Sequence, residues 1–150
     1  MEEQAGYGLH RLRETMVVRE EVRRSMQANR STGTKPEERL RQALRALGVT
    51  GYRKNDRRLP GTPDIVFPAS RLVVFVHGCF WHGCHLCGTY RVPKTNEAFW
   101  REKVRRNQLR HQDRLEQVEA LGYRSLTFWE CQLKADIEAV ARLIAAANRR

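Results

Sequence analysis

The sequence predicts an α/β fold: a single domain with a mixed central β-sheet flanked by helices. Its 150 residues suit one compact domain. Apolar residues recur with helical spacing in three stretches, and a short, almost unbroken apolar stretch lies between the first two. The predicted elements therefore follow the order helix, strands, helix, strand, helix, which is typical of a sheet with helices packed against it.

The first predicted helix begins at Thr34, whose hydroxyl can cap the first turn. Pro36 is tolerated in that turn, and Glu37 completes a capping box. The apolar residues that follow have i, i+3, i+4, i+7 spacing and form one face, namely Leu40, Ala43, Leu44 and Leu47. Gly48 is the predicted stop of this helix.

A hairpin of two strands is predicted at 64–67 and 71–76, after a short strand near Tyr52. The second strand of the hairpin is nearly all apolar and β-branched, which favours a central place in the sheet. Folding the hairpin brings Asp64 close to residues 74–76. Asp64 is thereby predicted to lie at a strand end.

The second half of the chain begins with a predicted loop at 78–88. A long helix is predicted over 96–121, a strand over 124–129 and a final helix over 134–148. The apolar residues expected to face inward from the long helix are Trp100, Val104, Leu115, Val118 and Leu121. Its arginines are expected to face outward.

Charge indicates the class of partner. The chain has 28 Lys plus Arg against 17 Asp plus Glu, a formal net charge of +11. A domain this basic usually binds a polyanion, most often nucleic acid. The alternative is a charge that serves only solubility, but the basic residues cluster at 53–58 and along the long helix, which favours nucleic acid.

Composition also excludes several classes. With 41% hydrophobic and 30% charged residues, the chain is not wholly disordered. The apolar run at 72–76 is too short to span a membrane, and residues 1–30 lack the apolar segment of a secretory signal. We therefore expect a cytoplasmic, nucleoid-associated protein without a membrane partner. Residues 1–23 are expected to form a flexible basic arm, and 24–150 the folded domain.

Four cysteines predict a metal site. Cys79, Cys84 and Cys87 lie close together, and Cys131 follows the last predicted strand. In a reducing compartment disulfides are rare, and three clustered thiols with one distant partner are typical of tetrahedral zinc. A closed set of four thiolates makes a structural site. His85 could replace Cys84 as a ligand, and buried free thiols are the remaining alternative.

Three further side chains are candidates for chemistry. Asp64, at a strand end, can bind a hard divalent cation such as Mg²⁺ together with a backbone carbonyl, although it could equally be an ordinary turn residue. His77 and His82 can transfer protons to or from an attacking water, or they could simply support the cysteine loop. Magnesium and a phosphodiester are the natural pair for this set.

The combined motifs resemble those of the very-short-patch-repair (Vsr) DNA mismatch endonucleases. The motifs lie at residues 63–64, 75–82, 93–96, 99–100 and 129–131, and the resemblance covers residues 24–137. It implies a restriction-endonuclease-like fold in which Phe75 and His77 stand in place of the usual Glu-x-Lys of the second strand. It further implies nicking of DNA on the 5′ side of the thymine in a T:G mismatch, which arises by deamination of 5-methylcytosine.

The resemblance also implies roles for individual residues. Asp64 corresponds to the magnesium-ligating aspartate, and Val76 to the position that lends its backbone carbonyl to the metal. His82 corresponds to the histidine that activates water, His77 to its catalytic neighbour, and Glu37 to a glutamate that holds a water on the metal. Cys79, Cys87 and Cys131 correspond to zinc ligands, and Cys84 falls where a family histidine often ligates.

Residues that contact DNA are implied in the same way. Phe80 and Trp81 correspond to aromatic residues that wedge into the base stack, and Met26 to an inserting residue of the arm. For either ring alone, burial in the core is the competing interpretation. Lys103 and Asn107 correspond to DNA-contacting helix positions. The implied partners are double-stranded DNA with a T:G mismatch, which is the substrate, and mismatch-repair proteins. The resemblance also implies a monomer that uses catalytic Mg²⁺ and structural Zn²⁺.

Overall fold

The fold is known from a computed structural model that describes Arg24, residues 33–88 and residues 90–150. The expected arm at 1–23 and the expected DNA-contacting Met26 lie outside these residues. Within residues 33–88 and 90–150 the helices are α1 (Lys35–Ala46), α2 (Cys79–His82), α3 (Glu97–Ala120), α4 (Glu130–Ala135) and α5 (Ile137–Asn148). The strands are β1 (Arg53–Lys54), β2 (Ile65–Phe67), β3 (Leu72–His77) and β4 (Arg124–Trp129).

The described strands form one mixed sheet, as the sequence predicts, and their order is β1-β2-β3-β4. β1 and β2 pair antiparallel, β2 and β3 pair antiparallel, and β3 pairs parallel to β4. The hairpin register places Ile65 opposite Val74, so Asp64 lies beside the end of β3. The carboxyl ends of β3 and β4 meet at one edge, where His77 pairs with Trp129.

The sheet is buried on both faces because helices cover each side. Alternate residues of β3 point to opposite faces. Leu72 and Val74 pack with residues of α1 and α5, whereas Val73 and Phe75 pack with Val118 of α3. This double burial explains why β3 is almost entirely apolar. Among the described residues, α3 is the helix that packs on the face of Val73 and Phe75.

The start of α1 differs in one detail from the predicted capping box. The Thr34 hydroxyl accepts a hydrogen bond from the Glu37 backbone N–H at 3.5 Å, as expected. The Glu37 carboxylate, however, accepts from the backbone N–H of Gly33 at 2.8 Å, one residue earlier than the box requires. Leu47, expected on the apolar face, is 47% exposed because it lies beyond the last turn as the C-cap.

Three further predictions need correction. The expected loop at 78–88 contains the short helix α2. Leu121 is 52% exposed rather than inward, because α3 ends at Ala120 and the chain turns at Gly122. The final helix divides into α4 and α5 at Asp136, whose side chain accepts a hydrogen bond from the Ala139 N–H at 2.9 Å. An aspartate at that position favours a helix start over a continuous helix.

Candidate active site and metal centre

Two carboxyl groups from different elements meet beside the end of β3. Asp64 precedes β2, and its Oδ2 accepts a hydrogen bond from the Val76 backbone N–H at 2.6 Å. Glu37 lies in the first turn of α1, and its carboxyl group is within hydrogen-bonding contact of Asp64. Both side chains are buried. The predicted proximity of Asp64 to residues 74–76 is therefore confirmed.

Burial of this pair opposes ionisation. Loss of hydration and the neighbouring charge of Glu37 raise the pKa of Asp64 from 3.8 to about 8. Two buried carboxylates in contact need either a shared proton or a cation between them. Carboxylate oxygens are the ligands that Mg²⁺ prefers, so the donor set fits a hard divalent cation.

Three histidines form the neighbouring wall. The rings of His77, at the end of β3, and His82, at the end of α2, are stacked with centroids 3.7 Å apart and planes 7° apart. His111 of α3 meets His77 edge to face at 4.0 Å, and its Nε2 lies 3.3 Å from the Thr127 hydroxyl. The sequence indicated the first two histidines, but His111 was missed.

Burial keeps these rings neutral near pH 7. Loss of hydration, with the neighbouring histidines, lowers the pKa of His77 to about 3, and the same causes lower the pKa of His82 to about 4. Burial also lowers the pKa of His111. The Nδ1 of His82 is buried without a hydrogen-bond partner among the described residues. A neutral imidazole of this kind can accept a proton from water.

A cleft of about 360 Å³ joins the carboxylate to the histidines. Its lining residues are Gly61, Thr62, Asp64, Phe75, Val76, His77, His82, Asn107, Arg110, His111 and Arg114. The cleft brings together the carboxyl group of Asp64, three imidazoles and two arginines of α3. An acid, a base and a cationic wall in one cleft are suited to hydrolysis of a phosphodiester.

The four cysteines also come together. The sulfur atoms of Cys79, Cys84, Cys87 and Cys131 all lie within 4.8 Å of one another. Cys84 Sγ and Cys131 Sγ are 3.7 Å apart. A tetrahedral zinc with Zn–S bonds of about 2.3 Å has sulfur–sulfur edges of about 3.8 Å, so this spacing suits zinc. The four thiols can therefore hold one metal ion.

Local structure explains how the sulfurs converge. Cys79 begins α2, and its carbonyl accepts from the Cys84 N–H at 2.8 Å after the turn at Gly83. The Leu86 N–H donates to Cys84 Sγ at 3.4 Å, while Cys131 arrives on the first turn of α4. His85 is exposed and lies outside the sulfur group, so the geometry favours Cys84 over His85 as the fourth ligand.

Cys79 and Cys131 are poor nucleophiles in this setting, because burial opposes the ionisation of their thiols. Loss of hydration raises the pKa of Cys79 to about 12 and also raises the pKa of Cys131. A bound cation reverses that preference, since metal binding deprotonates the coordinating thiol. The donor set is thus consistent with a metal-holding role.

The aromatic pair after Cys79 is half-buried. Phe80 and Trp81 both pack edge to face on Trp100 of α3, with centroids 5.4 and 5.8 Å away. Both rings thus pack against α3, as the core interpretation expects, while each keeps part of its surface accessible.

Side chains of α3 hold α2 in place through hydrogen bonds to its backbone. Asn107 Nδ2 donates to the Trp81 carbonyl at 2.8 Å, and Gln108 Nε2 donates to the His82 carbonyl at 2.9 Å. Gly83 has φ +63°, and a Cβ there would lie 2.9 Å from Val104 Cγ1. Glycine is required because the two helices approach so closely at this turn.

Three polar cleft residues of α3 were not identified as site residues from the sequence, namely Arg110, His111 and Arg114. The two arginines were predicted only as members of the basic cluster along the long helix. Their signal is helical spacing, since Asn107, Arg110, His111 and Arg114 recur at i, i+3, i+4 and i+7 and share one face. Lys103, another expected DNA contact, is half-buried on the same helix.

Within the described part of the chain, no helix combines the length and the apolar character needed to cross a bilayer.

Comparison with known proteins gives consistent matches. Residues 16–88 match the family model described as DNA mismatch endonuclease Vsr. Type II nicking enzyme V.XorIIP of Xanthomonas oryzae is 44% identical over 119 residues, covering 79% of this chain and 85% of the relative. DNA mismatch endonuclease Vsr of Escherichia coli is 40% identical, covering 74% and 70%. Type II nicking enzyme V.NaeI of Lentzea aerocolonigenes is 44% identical, covering 81% and 73%.

Proposed function

This chain belongs to the DNA mismatch endonuclease Vsr family, and from that premise we propose that it nicks one strand of double-stranded DNA on the 5′ side of the thymine in a T:G mismatch. The substrate class follows from its relatives, which are endonucleases and nicking enzymes by description. The finer specificity and the dependence on Mg²⁺ are the proposal. The deaminated form of 5-methylcytosine is the lesion that such an activity repairs.

The observation that carries the proposal is the single cleft that Asp64 shares with His77 and His82. Phosphodiester hydrolysis needs an anionic site for a metal ion and a neutral base for water. Asp64 with Glu37 supplies the first requirement, and the buried neutral His82 supplies the second. The net charge of +11 supports DNA as the polyanion.

Asp64, the Val76 carbonyl and Glu37, through a water, are the proposed holders of Mg²⁺. When bound, Mg²⁺ would act as a Lewis acid that stabilises negative charge on the phosphate. His82 accepts a proton from the attacking water. His77 keeps the His82 ring aligned by stacking on it, with ring centroids 3.7 Å apart. The water oxygen bonds to phosphorus, the bond to the 3′ oxygen breaks, and solvent protonates that oxygen, which leaves 5′-phosphate and 3′-hydroxyl ends.

The proposed role of Zn²⁺ is structural. Cys79, Cys84, Cys87 and Cys131 leave no open coordination position, so such a site holds the loop rather than takes part in hydrolysis. The loop carries His82 between two of the ligands. Fixing the loop therefore preorganises His82 for water activation before DNA arrives.

Mismatch recognition is proposed to use Phe80 and Trp81 as a wedge, with Met26, Lys103 and Asn107 as further DNA contacts. A T:G wobble pair stacks poorly, so prying open that step costs less than opening a matched step. The amide of Asn107 donates to the Trp81 carbonyl. Its proposed DNA contact therefore acts together with a structural role in holding the wedge.

The remaining expectations stay proposals of the same kind. A fold related to restriction endonucleases is supported by the mixed sheet with its site at the ends of β2 and β3. We further propose the division into an arm at 1–23 and a domain at 24–150, a monomeric state, mismatch-repair proteins as partners and a cytoplasmic location.

Two alternative functions can be compared with the activities by which the relatives are described. A non-catalytic zinc-stapled DNA-binding protein disagrees with relatives that are endonucleases. A Vsr-like nuclease used in restriction or phage defence remains the second candidate, because several relatives are described as type II nicking enzymes. That role would place nicks by sequence rather than by mismatch.

The decisive experiment incubates the purified protein and Mg²⁺ with duplexes that carry each mismatch, or none, in randomised flanks, followed by mapping of the nicks. We expect one nick 5′ of thymine in T:G duplexes only. Asp64→Ala is the matched inactive variant. Equal nicking of matched duplexes would support the defence function, and nicking by Asp64→Ala at the wild-type rate would remove the metal assignment.

A further inference from the structure

The arginines of α3 differ in the ion pairs and hydrogen bonds that their side chains make. Arg101 pairs with Glu97 at 2.7 Å, and Arg105 and Arg106 both pair with Glu102. Among the described residues, Arg110 has neither an ion pair nor a hydrogen bond to its side chain. An exposed cation that its own helix does not neutralise is available for an anion.

Arg110 also lies where an anion must come. It lines the same cleft as Asp64 and His82. Arg114 lines the cleft too, but its Nη1 donates to Gln117 at 3.0 Å. A Cβ built on Gly61 would lie 3.0 Å from Arg114 Cβ, so the start of the Arg114 side chain packs against this turn. Arg110 is consequently the arginine of this wall whose guanidinium is not engaged by other described residues.

The chemistry of the cleft selects the ligand. The carboxyl group of Asp64 lines the same cleft and repels an anion when it is ionised, so a phosphate needs a cation there. A guanidinium fits phosphate through two parallel hydrogen bonds, better than an ammonium does. At about 360 Å³ the cleft has room for a small anionic group such as a phosphate.

We infer that Arg110 is a catalytic residue that binds the non-bridging oxygens of the scissile phosphate. The inference rests on the proposed function, because it assumes that the phosphate next to Asp64 is the one that is cleaved. The negative charge on these oxygens differs between bound DNA and the transition state of water attack. Hydrogen bonds aimed at that charge stabilise the transition state more than they stabilise bound DNA.

The test compares Arg110→Ala, Arg110→Lys and wild type in single-turnover nicking of a T:G duplex at saturating protein. We expect Arg110→Ala to nick about 10- to 100-fold more slowly, with a smaller change in Kd, and Arg110→Lys to recover part of the rate. The matched control is Arg142→Ala, an exposed arginine of α5, which packs on the other face of the sheet. It should stay within about 2-fold of wild type.

A modified substrate separates direct contact from indirect effects. A phosphorothioate at the scissile phosphate slows wild type through the lost oxygen contact, and in Arg110→Ala the same sulfur should slow nicking less. Additive effects of the two changes, or a wild-type rate in Arg110→Ala while Asp64→Ala is inactive, would overturn the inference and leave the proposed function standing. Nicking by Asp64→Ala itself would instead overturn the proposed function.

Discussion

The surroundings of Asp64 oppose the charge of its own side chain. Its pKa rises from 3.8 to about 8 through burial and the nearby Glu37. The folded protein therefore holds a proton that the unfolded chain releases, and without Mg²⁺ this group reduces stability as pH rises from 3.8 to about 8. Asp64→Asn keeps the acceptor for the Val76 N–H but does not titrate.

We expect Asp64→Asn to be more stable than wild type in magnesium-free buffer, with a gap that widens through this pH window and then levels. Urea unfolding at several pH values measures the gap, with zinc left in place. The same variant should lose nicking by about 100-fold or more, because Asn is a weaker ligand for Mg²⁺. A gap that is constant with pH would contradict the raised pKa.

His77 has the opposite dependence on pH. Its pKa falls from 6.5 to about 3, so the unfolded chain binds a proton that the folded protein excludes. Stability is therefore lost as pH falls from 6.5 towards 3. We expect His77→Gln to show a shallower loss of stability across that acid window, measured as urea midpoints relative to wild type. Parallel curves for the two proteins would show that His77 titrates normally.

At the scale of elements, the cysteine cluster ties α2 to α4. We expect protein made in the cytosol to carry about one zinc per chain, and Cys131→Ala to lose both the metal and the cooperative melting transition. The cause is that the loop and α4 are then joined by packing alone. Metal analysis and thermal melting measure the two effects.

His85→Ala is the control for the zinc site, since His85 is exposed and outside the sulfur group. It should keep its zinc and its melting temperature. Loss of zinc in His85→Ala, or two disulfides without zinc in the wild-type protein, would show that the four thiolates are not the ligand set.

At the scale of the whole molecule, the wedge and the core interpretations of Trp81 can be separated. Its ring is half-buried on Trp100, so removing it need not unfold the domain. We expect Trp81→Ala to retain zinc and a cooperative transition but to lose about 10-fold in preference for T:G over T:A duplex. The reason is that the indole ring can no longer insert at the poorly stacked base step of the T:G pair.

Competitive binding and nicking with the two duplexes measure that preference, with thermal melting as the control. An unchanged preference would remove the wedge, and a collapsed transition would favour a core role for Trp81. Phe99→Ala serves as the comparison for a true core aromatic, since Phe99 is 4% exposed and packs on Trp100. That variant should destabilise the domain by about 3–5 kcal/mol.

Features that depend on neighbours in the chain were already determined by the sequence. Thr34 caps α1, the apolar run of β3 lies inside the sheet, and the cysteine spacing brings three sulfurs into one loop. Each arises from local hydrogen bonding, from burial on two faces or from short loop closure. Such signals can be read without knowing how helices and strands pack.

Tertiary structure alone decided which distant residues share the cleft. Glu37 meets Asp64 because α1 packs beside the hairpin, and His111 joins the histidines because α3 lies across the end of β3. The availability of Arg110 depends on which arginines find acidic partners along α3. These outcomes depend on helix position and side-chain direction between elements far apart in sequence, and no periodicity within a single element encodes them.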